Sequence, residues 1–384
     1  MTREFLSLDF YGGYLVAALA VWDEQTQSLL LRHGVNQYSP SFCGALVRDM
    51  DGARRELTTV FEEISDYASG QPEVIIGLRG HFLSFKRASG FESVSTRNRI
   101  IGQHEIQAAL NNSVPSRLNP ALEVVDILPQ SYTIDGNTGI INPRGMAGFT
   151  LEAETFLSLA LTTHLHTLTR VLNDCGCNEY QVLPSVIAQG ETLLGENEKQ
   201  AGALLLDIGP ATSSAVMYYQ GALVEAWEIS FGQNRLVQAL ADLLQNDEAS
   251  AREELKKYEP GSDEMIDEIL EEAANGLVTA LKKEFLQSLL FIQHPPYHLV
   301  LCGTAADKNL LKTCKKVLNV RKARLSAVDD LWADTNAADS PAYDGALALV
   351  SHTLLREHDA WGSIAKPTGV LSGLLTKLGL NELF

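Results

Sequence analysis

The sequence predicts an α/β protein made of two similar halves facing one central cleft, with a small α+β block inserted into the first half. Three observations lead there. Residues Ala203 to Tyr219 read as an apolar strand, an acid (Asp207), a turn of small and hydroxyl residues, and a second apolar strand. Residues Phe5 to Trp22 repeat that order around Asp9 and a glycine-containing turn. After each hairpin come a polar turn, a third apolar run (Leu29–Leu31 and Ala222–Val224) and, further on, a similar strand (Val74–Gly77 and Leu299–Gly303). Self-similarity over so long a period is the mark of duplication. A tight strand–turn–strand aims backbone N–H groups into one concave space that suits phosphate, and a carboxylate beside it can hold a metal-bound water. A buried structural hairpin remains the alternative reading of either copy alone.

Size and charge set the bounds. At 384 residues the chain needs two domains or more. A net charge of −18 argues against nonspecific nucleic-acid binding. The start leads straight into a strand, so no signal peptide is expected, and no apolar run is long enough to span a membrane. The five cysteines lack metal-site spacing, which points to a reducing cytoplasm. Cys175–Gly176–Cys177 reads as a helix end with glycine as the stop.

Ser41 to Gly70 has apolar residues at helical spacing and is expected to be the first helical region. Gly80 to Phe149 breaks the symmetry of the halves. It reads as a strand at Phe82–Phe85, a helix near Glu105–Leu110, strands near Val124–Leu128 and Ser131–Ile134, and a turn at Asp135–Gly139. Its first part is basic, with Arg79, Lys86, Arg87, Arg97 and Arg99; a solvated sheet face is the plain reading and a docking surface for an acidic partner the other. Thr163–Gly176 and Pro184–Leu194 read as helices; His164 and His166, two apart, cannot share a metal from one helix. Beyond the second hairpin, helices are expected at Arg235–Leu244 and Glu248–Tyr258. A long helix capped by Ser262 should follow, then helices at Asp307–Leu318 and from Ser340 to Leu355.

The stretch Asp126 to Glu154 carries a resemblance. Gln130, Tyr132, Asp135, Gly136, Gly139, Pro143, Gly145, Met146, Gly148, Leu151 and Glu152 match, in order, a pattern of FtsA, the actin-like bacterial division proteins. The chain resembles that family along nearly its whole length. The resemblance implies an actin-like duplicated fold in which a 1C-type insertion replaces the actin 1B subdomain. The implied parts are 1–79 as the first part of lobe 1, 80–160 as the insertion and its return, and 161–202 as lobe 1 helices. Lobe 2 would be 203–340, including a 2B-like part at about 232–293. A connecting helix at 341–356, a linker at 357–368 and an amphipathic membrane-targeting helix at 369–384 would complete the chain.

The nucleotide motifs depart from the family pattern. In the first loop Tyr11 stands for the tight-turn glycine and Tyr14 for the lysine. In the second, Pro210 has no N–H, Ala211 adds a Cβ, and Ser214 replaces the last acid. The adenosine motif is Gly303–Thr304–Ala305, and Leu183 stands where an acid usually precedes Pro184. Candidate nucleotide-binding residues are Asp9, Gly12, Gly13, Asp207, Gly209, Thr212, Ser213, Gly232, Lys256 and Gly303. The expectation is weak binding of ATP and Mg²⁺ with no hydrolysis, hence no catalytic residue and no protein-ligated metal.

The tail fits the family better. Val370, Leu371, Leu374, Leu375 and Leu378 share a helical face, with Lys377 and Phe384 as further membrane-binding candidates. The resemblance thus implies a peripheral protein on the cytoplasmic face of the inner membrane at the division site. It would polymerise there, bind the FtsZ C-terminal tail and lipid, and contact later division proteins through the insertion. Two alternatives stand beside it: a PilM-like adaptor of type IV pilus assembly, and an active ATPase or kinase of the actin fold.

Overall fold

Three long antiparallel strands open the chain: β1 (Thr2–Tyr11), β2 (Tyr14–Asp23) and β3 (Ser28–Tyr38). The computed structural model describes residues 2–95, 97–259, 261–304, 306–327 and 343–358. From Phe5 onward β1 is buried on both faces, as its unbroken apolar run requires of a central strand. A small hairpin, β4 (Phe42–Cys43) and β5 (Leu46–Val47), leads to α1 (Met50–Ser65) and then β6 (Glu73–Leu78), which pairs parallel with β1. The helix is thus shorter than the expected Ser41–Gly70. Asp49 caps it, accepting from the Asp51 amide, and Ser41–Val47 is held instead as a turn. Gly44, at φ +59°, lies so close to the Arg79 carbonyl that a Cβ would fall 2.5 Å from its oxygen.

The insertion holds β7 (Leu83–Ser93), α2 (Gln103–Asn112), β8 (Leu122–Ile134), β9 (Asn137–Ile140) and β10 (Thr150–Leu161), in a sheet of order β7-β10-β8-β9. The two strands expected around Pro129 are one strand. Its register against β10 shifts at Glu154/Thr155, so the proline sits beside an irregularity where its missing N–H is tolerated. The strand β10 has no counterpart among the elements expected from sequence. Asp135 and Gly136 both take positive φ, the requirement of a two-residue hairpin. The insertion has a small core of its own, with Ile106, Ala109 and Leu110 of α2 against Tyr132, Ile134 and Leu151.

The chain returns through α3 (Thr162–Asp174), β11 (Gln181–Pro184), α4 (Ser185–Leu193) and α5 (Glu196–Ala201). Pro184 closes a strand and is the N-cap residue of α4. The second half begins with β12 (Ala203–Ile208), β13 (Ser213–Tyr219) and β14 (Ala222–Ile229), followed by α6 (Asn234–Leu244), α7 (Glu248–Lys257) and α8 (Glu264–Phe285). Asp263, not the expected Ser262, caps α8, accepting from the Met265 and Ile266 amides. Then come α9 (Leu289–Gln293), β15 (His298–Cys302), α10 (Lys308–Leu318), β16 (Lys322–Leu325) and α11 (Asp344–His358).

The two large sheets have one topology. The first runs β3-β2-β1-β6-β11 and the second β14-β13-β12-β15-β16. In each, three strands are antiparallel and the next two join the first in parallel. A continuous core ties them: Val16 and Ile75 from the first sheet, Leu205 and Val300 from the second, with Val186 and Ile187 of α4 and Leu347 and Leu349 of α11 between. Outer cores lie under α1 and α3 on one side and α8 and α10 on the other. Among the described residues no helix is long and apolar enough to cross a membrane.

Candidate functional site

The two hairpin turns meet at the bottom of the cleft. Gly12 and Gly13 carry the β1–β2 turn at φ +56° and +94°. A Cβ on Gly12 would lie 2.9 Å from the Pro210 ring, so the two turns touch each other. Asp9 and Asp207, near the ends of β1 and β12, are both buried. The sheets therefore bring the two acids to one place, as the duplication requires.

What stands between them is Arg79. It follows β6 directly, and β6 lies parallel beside β1, so the residue emerges at the same end as Asp9. Its Nε donates to both Asp9 oxygens, at 2.8 and 3.0 Å, and its Nη1 donates to Asp207 Oδ2 at 2.9 Å. Only 1% of Arg79 is exposed. The sequence places it in a basic stretch that reads as a solvated face, and the structure corrects this: the strand end aims it inward at two carboxylates. Burial works against the charge, but Asp9 and Asp207 together hold the guanidinium well above its ordinary pKa.

Other side chains complete the cluster. Tyr11 lies under the guanidinium, 4.7 Å from ring centre to Cζ, and its hydroxyl donates to Asp207 Oδ1. The same hydroxyl accepts from the Thr304 amide at 3.2 Å. From α4, Ser185 donates to Asp9 at 2.7 Å and Gln189 to Asp207 at 2.6 Å. They are four apart, so one helix face serves both acids. Glu228 of β14 accepts from Ser214 at 2.9 Å and from the Gly80 amide at 3.0 Å. Burial above all pushes its carboxyl up to about 7, against a smaller pull downward from Arg79.

The remaining candidates line this cluster or hold its backbone. The Gly209 amide donates to the Thr212 carbonyl at 2.9 Å, and Ser213 Oγ donates to the Phe231 carbonyl at 2.8 Å. Gly232 packs on the same turn, where a Cβ would fall 2.1 Å from the Gly209 oxygen. Gly303, at φ +96°, abuts Tyr11 and Asp207, with a Cβ only 2.1 Å from the tyrosine hydroxyl. Lys256 falls on α7, and its side chain is outside the described residues. So are the membrane candidates Val370, Leu371, Leu374, Leu375, Lys377, Leu378 and Phe384. At the mouth of the cleft Tyr14, Asn36, Gln233, Asn234 and Arg252 line an open pocket above Tyr11 and Pro210.

Sequence reasoning missed Arg79, Ser185, Gln189 and Glu228. The one mark of Arg79 in the sequence is a charged residue directly after an apolar strand, which does not tell an inward side chain from a solvated one.

The comparisons agree with this architecture. Residues 82–158 match the family described as the SHS2 domain inserted in FtsA. The cell division protein FtsA of Bacillus subtilis (strain 168) is 24% identical over 308 residues, covering 73% of this chain and 69% of that protein. Among solved structures, the PilM–PilN type IV pilus biogenesis complex aligns with a TM-score of 0.63 at 14% identity, covering 90% of this chain and 97% of that one. MreB5 of Spiroplasma citri, bound to ADP, aligns with a TM-score of 0.50 at 13% identity, covering 92% and 96%. At those identities the two structures speak to fold alone, and the fold is the actin-like one, duplicated around a cleft. The chain thus has the actin-like fold, is similar in sequence to the FtsA cell-division proteins, and matches their inserted SHS2 domain in its first half.

Proposed function

We propose that the protein is a division adaptor that self-associates on the cytoplasmic face of the inner membrane and tethers FtsZ filaments there. The observation that carries this reading is the SHS2 match at 82–158 within a chain that resembles FtsA over 73% of its length. The insertion forms a separate sheet with its own core, as a contact module would. Its apolar residues Phe91, Ile141 and Phe149 are 56%, 72% and 63% exposed, which supports a role in contacting later division proteins. Residues 369–384 would supply the membrane contact. The amphipathic helix expected there from sequence offers only Lys377 as a cation and would bind weakly alone, so many copies on a filament would act together.

The test is co-sedimentation with vesicles of phosphatidylethanolamine and phosphatidylglycerol, using the full chain and a version ending at Pro367. FtsZ from the same cell is added with and without its C-terminal tail. The reading expects FtsZ in the pellet only with the full chain and only with its tail intact. FtsZ left in the supernatant under all conditions would end it.

The second reading is a PilM-like adaptor, with which the shared fold is compatible. It expects recovery of pilus-assembly proteins, and no FtsZ, on the tagged protein from cells.

A further inference from the structure

We infer that Arg79 is the built-in cation of the cleft: its guanidinium takes the place between Asp9 and Asp207 that a magnesium–phosphate group would need, and fastens the two lobes together without nucleotide. The inference concerns the chain's own cleft and does not depend on which partners it binds.

Charge is the first argument. Two carboxylates from opposite lobes face each other in a dry interior, which demands a cation between them. A nucleotide-binding relative would meet that demand with a hydrated metal and its phosphates, which come and go. Arg79 meets it covalently, from the end of β6, with a group that cannot lose its proton in a protein. The unit of negative charge left over is met by neutral donors, Ser185 on Asp9 and Gln189 and Tyr11 on Asp207, with the Glu228 carboxyl also within electrostatic reach of Asp207.

Space is the second. A phosphate would have to enter between the two turns, and Gly12 and Pro210 are in contact there. Two of the backbone donors beside the turns are spoken for: the Gly209 amide by Thr212 and the Thr304 amide by Tyr11. Pro210 has no N–H to give. The residues present do not fit Mg²⁺-ATP.

Connection is the third. Arg79 to Asp207, Tyr11 to Asp207, and the Gly80 amide to Glu228 each cross from the first lobe to the second. The bond from the Leu223 amide to Gln130 adds a further crossing, from the insertion. Closure is therefore a property of the polypeptide.

The test is thermal unfolding of the full chain in EDTA, in Mg²⁺ and in Mg²⁺-ATP, together with a direct titration with a fluorescent ATP analogue. The wild type should show one unfolding temperature in all three solutions and no saturable binding up to about 1 mM nucleotide. Arg79→Ala should unfold at lower temperature and be raised by Mg²⁺ alone, because the metal then meets the uncovered carboxylates; adding Asp207→Asn should abolish that response. Arg79→Lys, which keeps the cation but not the fork, should be intermediate and indifferent to Mg²⁺. Saturable Mg²⁺-ATP binding by the wild type with a raised unfolding temperature overturns the inference, as does an Arg79→Ala protein as stable as the wild type. If Arg79→Ala does not fold, the wild-type titration and Arg79→Lys still decide.

Discussion

Arg79 shows how a single side chain can set the character of a site. Its three ion-pair hydrogen bonds are buried, so removing it leaves two carboxylates without their cation. We expect Arg79→Ala to lose about 3–5 kcal/mol of stability, read from denaturant unfolding. Glu228 gives a different signature. Unfolded, its carboxyl ionises near its ordinary 4.5; folded, it does so at about 7. The folded state holds a proton that the unfolded chain gives up between those values. Stability from this group is full below the lower value and is lost as pH rises through the higher one, by up to ~3 kcal/mol. Replacing it by Gln keeps an acceptor for Ser214 and Gly80 and removes the titration. The difference in unfolding temperature between Glu228→Gln and wild type should grow in the variant's favour from about pH 5 to about pH 8. A difference that is flat across that range would show that the carboxyl is ionised throughout.

At the scale of elements, two glycines in helices should answer the same substitution with opposite signs. Gly276 lies in the middle of α8, where an added Cβ would meet nothing within 4 Å, so Gly276→Ala should stabilise by about 0.5–1 kcal/mol through helix propensity. Gly345 lies in the first turn of α11, where a Cβ would sit 2.0 Å from Asp9 Oδ2 and 2.7 Å from Arg79 Nη2. Gly345→Ala should destabilise by about 1–3 kcal/mol, because the helix must move off the ion pair or the pair must break. Thermal unfolding of the two variants side by side checks both signs. The helix α4 works in the same way as a positioning element. Its Ser185 and Gln189 each orient one acid, so a shift of α4 would disturb both together. Here also lies the reason why β10 was not legible. All of its residues from Thr155 to Ala160 are buried, so that half lacks the alternation that marks a half-buried strand, and nothing local separates it from a buried helix.

For the molecule as a whole, the crossing bonds and the shared core of α4 and α11 predict one closed arrangement of the lobes. Hydrogen exchange at the two turns, around Gly12 and around Pro210, should be the same with and without Mg²⁺-ATP; slowing at both turns on adding nucleotide would contradict it. The duplicated halves were legible because strand–acid–turn–strand is a local pattern, spelled out twice within short windows at Asp9 and Asp207. The insertion was legible for the same reason, through the Asp135–Gly136 turn and the glycines after it. That Pro210 has no N–H to offer a phosphate could also be read, wherever the fold places it. What fills the cleft could not be read so. Arg79 is 70 residues from Asp9 and 128 from Asp207 in the chain, and its position after β6 looks the same in sequence whether it faces water or the interior. By itself, then, the sequence determined two like halves, an inserted domain and a second turn with a proline in place of an N–H donor, all of them matters of local pattern. Only the tertiary structure decided that one of the basic residues is the cation both acids share, because that depends on parallel pairing between strands and on two lobes closing over the same guanidinium.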